Sequence, residues 1–293
     1  MNTINRNHMQ KIILILISVV FLSSCDKSEN CKECVTVCEE CDCDWPEMEE
    51  DILPPVDVPV RENPKVIVLL YHNLVYGRTG NIYNRDIYNF ENDLIYIRKN
   101  FKVIDFNELD KINNGEMTLT QDAAIITFDD GDLSIHPIAF PLLKKYNLKA
   151  TFFIVSSYVG ETGYVSWDQL REMANYTNPD SERIFTMGSH TATHASLGDI
   201  SIDEAELELL VSKQAIESEL NVDVEYVALP YGSGADDPQI QAKAKQVGYK
   251  GLRNSNPKAI SNFPIEMYNI PSVNIENYSN DKFVTYVNEL LGR

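Results

Sequence analysis

From Lys65 onward, short apolar runs rich in β-branched and aromatic residues alternate with helical patterns, and this alternation constrains the fold more than any other property of the chain. Strands are expected near 65–71, 102–106, 122–128, 149–155, 184–188, 224–229, 248–252 and 268–274. Helices are expected between them at 89–99, 135–146, 167–175, 201–220, 237–247 and 281–291. The clearest is 201–220, where Ser201 and Glu204 form an S-x-x-E capping box and Ala205, Leu209, Ala215, Ile216 and Leu220 supply an apolar side. Alternation sustained to residue 293 argues for a parallel α/β architecture, either a barrel or an open sheet. In both, ligands bind at the C-terminal ends of the strands, so the residues that end each run carry the functional information.

Two runs end in residues that carry chemistry. Ala123-Ala124-Ile125-Ile126-Thr127-Phe128 is a buried-strand signal that stops at Asp129-Asp130-Gly131. Adjacent carboxylates at a strand end repel one another unless a cation or strong donors compensate, although a bare D-D-G is also an ordinary solvated turn. The run Ile184 to Met187 leads into Gly188-Ser189-His190-Thr191-Ala192-Thr193-His194. H-x3-H spacing is expected to bring both imidazoles to one side of a helical turn, as a divalent ion requires. Two imidazoles and one carboxylate make a three-ligand site with a position left for water.

The N-terminus has a different character. Arg6 and Lys11 precede an apolar run from Ile12 to Phe21, followed by Leu22-Ser23-Ser24-Cys25. The run is too short to span a bilayer, and small residues before a cysteine suit cleavage and acylation. A lipoprotein signal peptide over 1–24, lipidated Cys25 and an extracytoplasmic, membrane-anchored protein are therefore expected. Cys31, Cys34, Cys38, Cys41 and Cys43 hold the remaining thiols. Their spacing superficially resembles a zinc knuckle, but outside the cytoplasm disulfides are the expected fate, with pairing unreadable. Residues 26–64 carry 13 acidic and 3 basic side chains with prolines at 46, 54, 55, 59 and 64, which reads as a disordered acidic tether ahead of a domain over 65–293. The whole chain has a formal charge of -19, which excludes nucleic acid as a partner.

The motifs T-F-D-D-G at 127–131 and H-T-A-T-H at 190–194 together resemble the polysaccharide deacetylases, carbohydrate esterase family 4, also called the NodB-homology domain. Resemblance continues through Pro141 to Tyr146, Lys149 to Phe153, Ser166-Trp167 and Leu229-Pro230-Tyr231-Gly232, covering nearly all of 65–293. It implies a distorted (β/α) barrel and metal-dependent removal of acetyl from an N-acetylated sugar polymer. It also implies that Asp129 is the catalytic base, that Asp130, His190 and His194 hold the metal, zinc being the expected ion, and that the backbone N–H of Tyr231 faces the oxyanion. Pro230 and Trp167 are candidates for substrate contact, Trp167 as a wall or packing residue.

Departures from the family pattern are informative. The late L-x-x-H motif is absent, since no histidine follows His194. His72 ends the apolar strand Val66 to Tyr71, and its Tyr-His pair resembles the poly-N-acetylglucosamine branch, in which an early histidine serves as the acid. The arginine that often precedes the third-motif proline is replaced by Ala228-Leu229, and Arg253 is a candidate to reach Asp129 from another loop. The D-x-x-D-W motif is not evident. Two alternatives stay open: an O-acetyl esterase on xylan or another glycan, and a carbohydrate-binding lipoprotein with impaired catalysis.

Overall fold

The computed structural model describes residues 52–77 and 80–293. The expected signal peptide, Cys25 and the cysteine-rich segment lie outside the described residues. Ten strands are described: β1 (Val66–Tyr71), β2 (Asn73–Val75), β3 (Asn84–Asp86), β4 (Lys102–Val103), β5 (Ala123–Phe128), β6 (Ala150–Ile154), β7 (Phe185–Ser189), β8 (Tyr226–Ala228), β9 (Gly251–Arg253) and β10 (Val273–Asn274). Seven α-helices accompany them: α1 (Ile87–Asn100), α2 (Phe106–Asn113), α3 (Ala139–Tyr146), α4 (Trp167–Asn175), α5 (Ile202–Leu220), α6 (Pro238–Val247) and α7 (Asn280–Leu291).

Eight strands form one parallel sheet in the order β10-β1-β5-β6-β7-β8-β9, with β4 beside the start of β5. The sheet curls. Ile270 bridges Arg253 at one edge, and three residues later Val273 pairs with Leu69 at the other, so a single segment touches both edges. Strands β1, β5 and β6 are buried at every position, as expected of parallel strands covered on both faces.

Alternation along each strand divides the core in two. Ile67, Leu69, Tyr71, Ala124, Ile126, Phe128, Phe152 and Ile154 face outward into a cluster shared with the outer helices, including Phe90, Leu143, Leu170, Leu209, Ala244 and Phe283. Val66, Val68, Ala123, Ile125, Phe153, Tyr226 and Ala228 face inward, where Phe106, Leu109 and Ile112 of α2 plug the base of the curl. The inner row is crowded. A Cβ at Gly188 would sit 2.4 Å from the Phe153 ring, so only glycine fits there.

Several local differences from the sequence expectations have physical causes. Helix α2 is additional: Asp105 and Glu108 form a reciprocal cap, and its three apolar residues bury one side of two turns. Helix α3 begins at Ala139 rather than near 135, because a single 3-10 turn at Leu133–Ile135 capped by Asp132 comes first and Pro137 separates the two. Around 268–274 the chain forms a 3-10 turn and then Pro271, which leaves only two strand residues. Residues 52–64, read as part of the tether, run along the body: the Leu53 N–H donates to Lys145 O at 3.1 Å, and the Arg61 N–H donates to Thr120 O at 2.9 Å. Among the described residues, no helix is long and apolar enough to cross a membrane.

Candidate active site

The inner rows continue past the strand ends, and this is what assembles the site. Extending Val66, Val68 and Leu70 by two residues gives His72; extending Ala123, Ile125 and Thr127 gives Asp129; Thr186 and Gly188 lead to His190; Gly251 leads to Arg253. The apolar base of the curl thus gives way to a polar top. A cavity of about 400 Å³ opens there, lined by His72, Asp129, Asp130, His190, His194 and Tyr231 together with Asn73, Asn81, Tyr83 and Asn274.

Asp130 and the two histidines converge. Asp130 Oδ1 lies 3.4 Å from His190 Nε2 and 3.2 Å from His194 Nε2, and the three candidate ligand atoms all lie within 4.8 Å of one another. The H-x3-H segment is not a helical turn, contrary to the expectation from its spacing. His190 ends the β7 row, and a loop with left-handed Thr191 (φ 67°) and His194 (φ 64°) folds the second ring back beside the first. Asp130 (φ 69°) and Tyr231 (φ 60°) are also left-handed. Non-glycine residues in this region typically cost about 1–3 kcal/mol each and persist where surrounding contacts enforce them. Those contacts are present: Ser189 Oγ accepts the Thr191 N–H at 3.2 Å and donates to Ser212 Oγ at 2.8 Å. Glu208 accepts both the N–H (2.8 Å) and the hydroxyl (2.7 Å) of Thr193.

Donor chemistry shows that the cluster fits a cation. His190 Nδ1–H donates to Ala228 O at 2.8 Å, which fixes the tautomer and turns the Nε2 lone pair toward Asp130 and Asp129. A lone pair facing two carboxylates requires positive charge between them, and the buried Asp130 Oδ1 has no hydrogen-bond donor. The electrostatics agree: burial disfavours charge on both groups, yet the imidazoles hold Asp130 well below the usual carboxylate range, and Asp129 and Asp130 raise His190 above the ordinary imidazole value. One carboxylate and two imidazoles are a donor set suited to zinc or a similar divalent ion.

Asp129 occupies a different environment. It is 2% exposed, and its Oδ2 accepts from Arg253 Nη2, while its buried Oδ1 has no partner. Arg253 is 1% exposed and is itself held by Ser272 Oγ at 3.2 Å, with its guanidinium 5.3 Å above the Phe153 ring. His72 stands on the opposite wall against Tyr83, ring centroids 4.8 Å apart, and its Nδ1 is buried without a partner. Burial lowers its pKa from the ordinary imidazole value, against the pull of Asp129 and Asp130.

Not every expected residue is gathered here. Trp167 begins α4 and packs against the outer core, and it does not line the cavity. Pro230 is buried beneath Tyr231 in a tight turn and does not line it either; Tyr231 itself is 73% exposed, its ring edge-on to His194 at 4.8 Å. Glu208, Ser212 and Asn274 carry no sequence signal of their own, because their roles follow from packing between distant elements.

A curled parallel α/β sheet with an Asp-His-His cluster and a second, arginine-held aspartate at its strand ends defines a NodB-like hydrolase fold. Residues 116–252 match the family model described as polysaccharide deacetylase. The poly-β-1,6-N-acetyl-D-glucosamine N-deacetylase of Staphylococcus epidermidis is 32% identical over 177 residues, which span 56% of this chain and 57% of that relative. A polysaccharide deacetylase from Bacillus cereus superposes with a TM-score of 0.64 at 26% identity, covering 76% of this chain and 69% of the other. IcaB from Ammonifex degensii shares the fold with a TM-score of 0.66 at 22% identity, over 80% and 99% of the two chains. Over residues 116–252 the chain is thus similar to the polysaccharide deacetylases, and it shares the NodB-like fold with the solved structures.

Proposed function

We propose that this protein is a metal-dependent N-deacetylase of N-acetylglucosamine polymers, held at a bacterial membrane outside the cytoplasm by a lipid on Cys25. The observation that carries the proposal is the division of labour between two adjacent carboxylates. Asp130 faces two imidazole nitrogens, whereas Asp129 is pinned through one oxygen by Arg253 and keeps the other buried and unpartnered. The Staphylococcus epidermidis relative is named for poly-β-1,6-N-acetyl-D-glucosamine, which supports the glycan class.

Asp130, His190 and His194 would hold the divalent ion, with zinc the best match to the donors. When bound, such an ion polarises an acetyl carbonyl and lowers the pKa of water from about 15.7 toward about 7. The remaining work belongs to the protein's own groups. Asp129 Oδ1 accepts the proton of the attacking water as its oxygen bonds to the acetyl carbon. The backbone N–H of Tyr231 donates to the oxygen on which negative charge develops, a contact of a type worth about 3 kcal/mol of barrier. His72 protonates the departing nitrogen as the C–N bond breaks, leaving acetate and a free amine. Its lowered pKa makes the imidazolium a stronger acid toward the amine while reducing the protonated fraction at neutral pH.

An impaired, glycan-binding protein would leave the places of the missing arginine and late histidine empty. Here Arg253 contacts Asp129, and His72 lines the cavity, which favours catalysis. The decisive variant is Asp129→Asn in zinc-loaded protein, assayed by acetate release from β-1,6-linked N-acetylglucosamine oligomers. Loss of release with zinc still bound is expected; full activity in a well-folded variant would overturn the proposal. Mass spectrometry of the N-terminal peptide from cells tests the anchor, with diacylglyceryl-modified Cys25 expected.

A further inference from the structure

We infer that Asn274 accepts the N–H of the substrate acetamide and thereby sets a preference for amides over esters; this rests on the N-deacetylase proposal above. Val273 belongs to the outer cluster, so strand alternation turns Asn274 inward. Its register partner on β1 is Leu70, and two residues further along that inner row stands His72. Asn274 therefore lines the cavity on the side where the leaving nitrogen has to sit.

The state of its side chain points to a ligand. Asn274 Oδ1 is buried and has no hydrogen-bond partner. The other carboxamides of the wall are engaged: Asn73 Nδ2 donates to Asn84 Oδ1 at 3.1 Å, and Asn81 Oδ1 accepts the Tyr83 N–H at 3.0 Å. A buried acceptor with no donor is costly, and folded proteins keep few of them away from functional sites.

Substrate chemistry supplies the missing donor. The acetamido group of an N-acetyl sugar carries one N–H on the scissile bond, whereas an O-acetyl group at the same position has a bridging oxygen and no hydrogen. An amide pairs Asn274 Oδ1; an ester leaves it dehydrated and alone. Attack on the carbonyl also frees the nitrogen lone pair, so Asn274 holds the existing N–H while His72 delivers a proton to the other side of the same atom. Sites that hydrogen-bond a substrate N–H or O–H discriminate strongly against analogues lacking it.

The test uses zinc-loaded full-length protein with Asn274→Ala, and Asn274→Leu as a second variant that fills the space without an acceptor. Each is assayed on a β-1,6-linked N-acetylglucosamine oligomer and on the matched oligomer carrying 2-O-acetyl groups. The amide kcat/KM should fall about 10- to 100-fold, while the ester kcat/KM stays within about 3-fold, so that the ratio collapses. Loss of metal or fold would lower both substrates together, and parallel loss or an unchanged ratio in the folded variants overturns the assignment. Wild-type protein that cleaves the ester and not the amide would refute the N-deacetylase proposal and this inference with it. Wild-type activity on the amide with an unchanged ratio would refute the role of Asn274 alone.

Discussion

Replacing Arg253 with Met removes the guanidinium that faces Asp129 while keeping an unbranched stem against Phe153. Both partners of the pair are almost fully buried, 1% and 2% exposed, so water cannot substitute for the lost contact. Breaking a buried ion pair by deleting one partner typically costs about 3–5 kcal/mol, because the survivor is left charged and dehydrated. At a slope of about 2–3 kcal/mol per M urea, the unfolding midpoint should fall by about 1–2.5 M. A total stability of about 5–15 kcal/mol leaves the variant folded at low denaturant. The informative experiment is a double-mutant cycle with Asp129→Asn, run by urea unfolding in the presence of a chelator so that no metal ion compensates. Asp129→Asn alone strands the arginine, and Arg253→Met alone strands the aspartate. The double variant strands neither and should be more stable than the summed single effects by at least about 2 kcal/mol. Single-variant costs that add to within about 0.5 kcal/mol would show that the two groups are not coupled and that Arg253 does not hold the base.

Other perturbations probe separate parts of the structure. His72→Ala should slow acetate release from N-acetylglucosamine oligomers by about 10²-fold or more, with a smaller effect on O-acetyl esters whose leaving group needs less protonation; equal effects on both would count against its role as acid. Glu208→Ala releases the backbone N–H and hydroxyl of Thr193 and should weaken zinc binding by about 10- to 100-fold in calorimetric titration, with Glu208→Gln restoring most of it; unchanged affinity in the alanine variant would remove Glu208 from the support of the histidine loop. Asp93, buried beside Arg85, is pushed up to about 6 by burial from an ordinary value of 3.8. The folded protein therefore retains a proton between about pH 4 and pH 6 that the unfolded chain has lost. This contribution is fully present below pH 3.8 and disappears as pH rises through about 6, amounting to about 3 kcal/mol over the window. Asp93→Asn should flatten that slope in unfolding free energies measured from pH 4 to 7, and parallel slopes would contradict it.

Much of the architecture is legible in the sequence because parallel strands write themselves as uninterrupted apolar runs and end in polar residues. Ala123 to Phe128 followed by Asp129-Asp130 is the clearest case, and period-two alternation alone directs Asp129 inward. The same logic applies to His72 after Tyr71 and to His190 after Ser189. Less legible were features settled by contacts between remote segments. Arg253 and Asp129 are 124 positions apart, and only the curl of the sheet brings them together. The backbone reversal at Thr191 and His194 depends on Glu208 and Ser212 from α5, which no local spacing announces. Helix α2 is two turns long, and its apolar residues follow an expected strand closely enough to be absorbed into it. Trp167, expected as a wall or packing residue, takes the second role: it packs against the outer core and does not line the cavity.

The central claim, one divalent ion gripped by Asp130, His190 and His194 with Asp129 free to take a proton, is tested most directly by titrating metal-free protein with zinc while measuring acetate released from β-1,6-linked N-acetylglucosamine oligomers. Release should rise in proportion to added zinc and level off at about one equivalent per chain, with His190→Ala and His194→Ala inactive at that ratio. Undiminished release from metal-free protein, or no release at any zinc concentration from a folded chain, would contradict it.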